Sequence, residues 1–178
     1  RPIDIRRFEL GALKIQNLID SGVLELPSAL DIPDDNIKKG TQELMDIANH
    51  YAQFRGNWVN LVSEAEMSCL ALSSALAKKG IDSIIAIDER TTRTLCENPE
   101  TLENLMENKL HHNIDITKQN MSLFRKYKFI RSSELVFVAY KKGILGLEGK
   151  KVLEAALYAT KFHGSSIPFE EIEELKRL

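Results

Sequence analysis

The sequence predicts an α/β fold in which helices pack on a central, mainly parallel sheet, with a helical C-terminal end. Ser83 to Ile87 is an apolar run that is too short for a helix and typical of a strand buried on both faces. Helical patterns precede and follow this run, and strands that alternate with helices indicate a parallel sheet. From Ser132 to Leu178 the pattern is helical throughout, in three pieces separated by 143–149 and 164–168.

The first third of the chain predicts two helices and two short strands. A helix is expected from Phe8 to Asp20, where leucine and isoleucine recur at helical spacing before Ser21-Gly22. The stretch VLELP is a strand candidate that Pro27 ends. A second helix is expected from Asp34 to about Gln53. WVNLV is a β-prone fragment that stops before Ser63.

The clearest predicted helix runs from Ser63 to Gly80. Ser63 and Glu66 have the spacing of a capping box, and Gly80 is the residue expected just beyond the C-terminal end. Another helix is expected from Glu100 to Leu110, after Pro99.

Composition indicates a single globular protein with a substantial core. The chain has 178 residues, of which 43% are hydrophobic, and a formal net charge of −2. It contains no run of about 18 apolar residues and no signal-peptide pattern, so we expect a soluble, cytoplasmic protein without a membrane partner. The charge argues against a generally basic coat for nucleic acid but leaves local patches open.

Two carboxylates are predicted to meet at one edge of the sheet. Asp88 follows the apolar run directly, and Glu66 lies in the first turn of the preceding helix, whose N-terminus reaches the edge where that strand ends. Converging carboxylates would favour a hard cation such as Mg²⁺ or Mn²⁺. The alternative is local, with Asp88 capping the next helix and Glu66 completing the capping box.

The segments VSEAEMSCLALSSALAKKG, SIIAIDERTTR and FIRSSELVFVAYKKGIL together resemble the second half of a PIN domain, over roughly residues 61–145. The resemblance implies a three-layer α/β/α sandwich and metal-dependent cleavage of RNA by a cluster of acids. It assigns Glu66 and Asp88 as catalytic residues and metal ligands, with Glu64 and Glu89 as outer ligands. It also implies one PIN-like domain over 1–178, with 147–178 as a helical extension packed on it.

Three features depart from the PIN pattern, one of them being Glu66, which stands where Asp is more usual. PIN domains begin with an apolar strand that ends in Asp, whereas this chain opens as RPIDIRR, where Asp4 is a poor substitute. Asp31 is the weak candidate for the acid after the second strand, with Glu43 weaker still. Two explanations stay open: the first strand lies upstream of residue 1, or the site is a reduced one.

Two basic segments are candidates for contact with RNA. Arg90 and Arg93 would share one helical face beside Asp88, or pair with Glu97 or Glu100 on the solvent side. In KQNMSLFRKYK, basic residues alternate with aromatic ones, as in proteins that bind single-stranded RNA by charge and stacking. The basic residues of this segment are Lys118, Arg125, Lys126 and Lys128, and its rings are Phe124 and Tyr127.

The leading hypothesis is a PIN-like ribonuclease that uses Mg²⁺ or Mn²⁺ to cleave single-stranded or structured RNA. The alternative is a non-catalytic module that binds RNA or a protein. A third interpretation, a phosphatase, would require a nucleophilic Asp upstream of residue 1. The C-terminal pieces carry apolar stripes, including Leu153, Leu157 and Phe162, which core packing or a homodimer would explain.

Overall fold

A computed structural model describes residues 6, 8–117, 121–147 and 149–178. Short loops and 3₁₀ turns join the elements. Its α-helices are α1 (Glu9–Asp20), α2 (Asp34–Asn49), α3 (Glu64–Lys78), α4 (Arg90–Glu97), α5 (Leu102–Leu110), α6 (Ser132–Lys141), α7 (Lys150–Phe162) and α8 (Phe169–Leu175). Its strands are β1 (Ala52–Phe54), β2 (Asn57–Trp58), β3 (Ile85–Ala86), β4 (Asp115–Ile116) and β5 (Phe129–Ile130).

The predicted sandwich with a central, mainly parallel sheet is wrong. The structure is 61% helix and 7% strand, and its strands form two small sheets. One sheet has the order β2-β1-β4 and is antiparallel, whereas β3 and β5 form a separate parallel pair. The protein is therefore a mainly helical fold with short strands between its helices.

The apolar run at Ser83 to Ile87 misled the prediction because only one side of it is buried. Ile85 is 7% exposed, but its neighbour Ile84 is 62% exposed and Ala86 also faces solvent. An unbroken apolar run fits burial on one face as well as on two, so its composition did not distinguish a central strand from a short edge strand.

The antiparallel sheet is built on a tight hairpin that the sequence analysis did not predict. Phe54 pairs with Asn57, so only Arg55 and Gly56 connect β1 to β2. Both turn residues have positive φ, +50° and +77°, which is the backbone that a two-residue hairpin turn of the primed type requires. This hairpin ends the predicted second helix early, at Asn49 instead of about Gln53.

The main core lies between α2, α3, α4 and α5. Its fully buried side chains include Met67, Leu70, Leu95 and Leu102. Helices α2 and α3 approach closely where Gly40 faces Ala71, and a Cβ on Gly40 would lie 3.2 Å from that of Ala71. A glycine in mid-helix costs stability relative to alanine, and here it allows the two helices to pack.

A second, smaller core occupies the C-terminal part of the chain. Leu153, Leu157, Ile167 and Ile172 are buried together, and side chains of α6 pack against them. The three C-terminal helices follow the predicted division of the tail. Of the predicted apolar stripe on α7, Leu153 and Leu157 are buried while Phe162 is 76% exposed.

Helix α1 forms as predicted but buries none of its side chains. The predicted strand VLELP is absent, because the chain passes through a turn into a 3₁₀ turn at Pro27–Leu30. Among the described residues, the structure contains no helix with both the length and the apolar character that a membrane span needs.

Candidate functional site

Glu66 lies in the first turn of α3, where it completes the predicted capping box. The backbone N–H of Ser63 donates to Glu66 Oε2 at 2.9 Å, and the Ser63 hydroxyl donates to the same oxygen. The other carboxylate oxygen, Oε1, receives no hydrogen bond from the described residues. The local interpretation of Glu66 is therefore confirmed, yet one of its oxygens is left for another partner.

Glu89 caps the next helix, a role that the sequence analysis gave to Asp88 as one alternative. The backbone N–H groups of Thr91 and Thr92 donate to Glu89 Oε1 and Oε2 at 2.9 Å and 2.6 Å. Burial acts to raise the pKa of Glu89, but these hydrogen bonds outweigh it and hold the pKa below its ordinary value. Glu89 is thus held as a carboxylate at neutral pH.

Glu66 and Glu89 line the same cavity, which has a volume of about 470 Å³. We call this space the acid cavity. Its other lining residues lie at the C-terminal half of α2 and in the loop that leads into α3: Met45, Asn49, Asn60, Leu61, Val62 and Ser63. Asn49 Oδ1 accepts from the N–H groups of Leu61 and Val62 at 2.8 Å and 3.1 Å, which holds that loop against α2.

Asp88 faces a different part of the molecule and does not line the acid cavity. Ser132 donates to its carboxylate twice, from the backbone N–H at 3.1 Å and from the hydroxyl at 2.5 Å. The Ser165 hydroxyl donates to Asp88 Oδ1 at 3.1 Å, and Ser166 donates to the Asp88 backbone carbonyl at 3.1 Å. We call these four residues the serine junction, because they join β3, α6 and the loop before α8.

The charge of Asp88 is stabilised where it lies. Burial acts to raise the pKa of Asp88, but the hydrogen bonds from Ser132 and Ser165 and the nearby Arg93 outweigh it, so the pKa lies below its ordinary value. Both carboxylate oxygens already accept hydrogen bonds. Asp88 therefore serves first as a polar link between segments that are distant in sequence.

The three predicted metal ligands are not gathered into one site. Glu66 lines the acid cavity, Asp88 belongs to the serine junction, and Asp31 lies at the end of the 3₁₀ turn before α2. Asp31 is exposed, has a left-handed backbone with φ of +51°, and lines a different cavity. In the described part of the chain, no group of three or more His, Cys, Asp or Glu side chains is placed to share a metal ion.

The predicted RNA-contacting residues divide into paired and unpaired cations. Arg93 forms an ion pair with Glu97 at 3.5 Å, as the solvent-side alternative predicted. Lys128 lies 3.7 Å from Asp82, and Arg125 pairs with Glu100. Arg90 is exposed and has no acidic partner among the residues that the structure describes. Lys126 likewise forms no ion pair with an acid in the described part of the chain.

The aromatic rings of the second basic segment belong to the core. Phe124 is fully buried, and Tyr127 is 9% exposed with its hydroxyl 2.8 Å from that of Ser74. Neither ring is open for a base to stack on. Lys126 lies over the Tyr127 ring with its Nζ 5.2 Å from the centroid. The candidates Lys118 and Asp4 lie outside the described residues.

No protein-family model, curated protein or solved structure matches this chain. The resemblance to PIN domains therefore stays a prediction that rests on the quoted segments.

Proposed function

We propose that this protein binds RNA and cleaves it with a Mg²⁺ or Mn²⁺ ion held at the acid cavity. The observation that supports the proposal is that Glu66 and Glu89 line one cavity and that Glu66 Oε1 has no hydrogen-bond donor in the described structure. The proposal keeps Glu66 from the PIN resemblance and moves Glu89 from an outer to an inner ligand.

Two carboxylates suit the coordination that Mg²⁺ commonly has in proteins. The ion keeps several waters and is often held by one or two carboxylates together with phosphates of the substrate. Such an ion would supply an activated water and offset charge that develops on the phosphodiester oxygens. Asp88 and Asp31 are not assigned as inner ligands, since neither of them lines the acid cavity.

The remaining side chains of this region would position the substrate. Arg90 follows Glu89 directly in the chain and is exposed without an acidic partner among the described residues, so its guanidinium is available to a phosphate. Arg93 is held by Glu97 and lies near Asp88. We therefore expect Arg90, and not Arg93, to contribute to RNA affinity.

The test is cleavage of 5′-labelled single-stranded RNA in the presence of Mn²⁺. The double variant Glu66→Gln/Glu89→Gln should cleave at least about 100-fold more slowly than the unaltered protein, because its cavity no longer carries the two negative charges. Glu64→Gln is the matched control, since Glu64 is an exposed acid in the same helical turn and does not line the cavity.

Bound Mn²⁺ should be measured in the same samples by electron paramagnetic resonance. The double variant should lose the bound ion, while the Glu64→Gln variant should keep it. Cleavage that persists in the double variant, or that EDTA fails to stop, would refute the assignment of the ion to the acid cavity.

The second candidate is an RNA-binding module that does not cleave. Two observations favour it: the described residues provide no group of three metal-binding side chains, and Asp88 is engaged in the serine junction. This candidate predicts that labelled RNA binds in EDTA and stays intact for hours when Mn²⁺ is added.

A further inference from the structure

A second cavity lies between α2 and α3, toward the opposite end of α3 from the acid cavity. Its volume is about 560 Å³, and residues of the 121–126 turn and Tyr127 close one side of it. We call it the lysine groove. Its apolar lining is formed by Ile32, Pro33, Leu44, Ile47, Ala71, Ala75 and Leu123.

Four lysines line this groove: Lys39 on α2, Lys78 and Lys79 at the end of α3, and Lys126. The acids in the lining are Asp31 and Glu43, so four positive and two negative charges leave a local charge of +2. The whole chain has a formal charge of −2. Positive charge is therefore concentrated in this groove, although the net charge of the whole chain is negative.

The four groove lysines form no ion pair with the described residues, whereas some other cations of the protein do. Lys38 pairs with Asp35, and Lys176 pairs with Glu154. Within the described ranges, no carboxylate lies within ion-pair distance of any of the four groove lysines. Their ammonium groups are thus available to an anion from solution.

The helix dipole explains only part of this arrangement. Lys78 is in the last turn of α3 and Lys79 is its C-cap, where a cation is favoured by the partial negative charge of the helix end. Lys39 lies in the second turn of α2, nearer the helix N-terminus, where the dipole provides no such benefit. Lys126 is outside both helices.

We propose that the lysine groove binds the phosphate backbone of single-stranded RNA. Ammonium groups act as point charges that hold phosphates without reading sequence, and the apolar lining offers a surface for base or ribose faces. This inference rests on the proposed function and gives the substrate a path beyond the acid cavity. From Glu66 to Lys78 is twelve residues, or about 18 Å along α3. A single strand can therefore contact both ends of this helix.

The test is fluorescence anisotropy with a 12-nucleotide fluorescein-labelled oligouridylate, titrated in EDTA at several KCl concentrations. The variant Lys39→Gln/Lys78→Gln/Lys126→Gln removes three groove charges. The control Lys14→Gln/Lys109→Gln/Lys142→Gln removes three charges from exposed lysines outside the groove. Circular dichroism melting should confirm that both variants are folded.

The groove variant should bind at least about tenfold more weakly at 50 mM KCl, while the control should stay within about twofold of the unaltered protein. The slope of log K against the logarithm of the salt concentration should also become less negative by about 2 in the groove variant. Each phosphate contact on a single strand contributes about 0.7 to this slope, and the variant removes three lysines. Equal weakening of the two variants, or no weakening of the groove variant, would overturn the proposal.

Uridine monophosphate serves as a competing ligand. Displacement of the oligonucleotide by micromolar monophosphate would show a small-molecule site and overturn the RNA assignment, whereas competition only at millimolar levels supports it. Because binding is measured in EDTA, its outcome is independent of cleavage. If the unaltered protein binds RNA through the groove but does not cleave it, the proposed function alone is refuted. If the protein cleaves RNA but the groove lysines do not contribute to binding, this inference alone is refuted.

Discussion

The serine junction and the acid cavity both depend on glutamate or aspartate side chains, but they use the carboxylates differently. Asp88 receives hydrogen bonds on both oxygens from residues 44 and 77 positions away. Glu66 receives its hydrogen bonds on one oxygen, from a residue three positions away.

This contrast teaches that similar carboxylates can have separate tasks. We expect Asp88, which joins distant segments, to be needed for stability, whereas Glu66, which closes a local cap, keeps one oxygen for a ligand.

Asp88→Asn should have the largest effect on stability. The substituted amide has one acceptor oxygen and no charge, so it cannot accept all of the bonds that Ser132 and Ser165 donate to Asp88. We expect the free energy of unfolding to fall by about 2 kcal/mol, the typical value for hydrogen bonds to a charged group. Urea denaturation measures it.

The control for Asp88→Asn is Asp82→Asn, which removes an exposed acid that, within the described ranges, pairs with Lys128 alone at 3.7 Å. A change below about 0.5 kcal/mol is expected there. Equal effects of the two substitutions would contradict the structural role of Asp88. The expected loss of stability also matters for cleavage assays, because a destabilised Asp88→Asn protein loses activity for reasons unrelated to metal binding.

The stabilising effect of Asp88 should depend on pH. Because its pKa is lower in the folded protein than in the unfolded chain, its contribution is present above about pH 5 and is lost as pH falls through the folded pKa. The difference in unfolding free energy between the unaltered protein and Asp88→Asn should therefore shrink as the pH falls below the ordinary pKa of an aspartate, about 3.9. A difference that stays constant as the pH falls would show that the charge of Asp88 is irrelevant.

Glu89→Gln should have an intermediate effect. The side chain caps α4 through the N–H groups of Thr91 and Thr92, and a glutamine retains one acceptor but loses the charge. We expect a loss of about 1 kcal/mol, within the usual range for an N-cap. Thermal unfolding measures it, and Glu97→Gln on the exposed end of the same helix is the control.

Glu66→Gln should have the smallest effect on stability. Glutamine also completes a capping box, so the bond from the Ser63 N–H is retained and a change below about 0.5 kcal/mol is expected. If this substitution destabilises the protein as much as Asp88→Asn, the distinction between the acid cavity and the serine junction fails. A stable Glu66→Gln protein that no longer binds Mn²⁺ would support this distinction, because the substitution would then affect ligand binding and not stability.

Local signals in the sequence predicted the local structure well. The capping box at Ser63 and Glu66, the end of α3 near Gly80 and the three-part helical tail all follow from patterns within a few residues. Such signals are reliable because caps and helix ends depend on neighbours three or four positions apart.

The sequence was less informative about the site. It named Glu66 and Glu89, but it ranked Asp88 above Glu89 because an acid at a strand end suggests a ligand site. The lysine groove was not predicted, although Lys78 and Lys79 stand together before Gly80 and Lys39 adjoins Lys38. Nothing in their spacing shows that α2 and α3 pack at Gly40 and Ala71 and so bring these lysines to one groove.

By itself, the sequence determined where most helices begin and end and that Glu66 completes the capping box of α3, since these properties arise from contacts within one turn. Only the tertiary structure decided that the strands form two small sheets, that Asp88 links α6 to the loop before α8, and that four lysines surround one groove. These outcomes depend on which segments pack together across long stretches of chain, and that choice is made by the burial of the whole core.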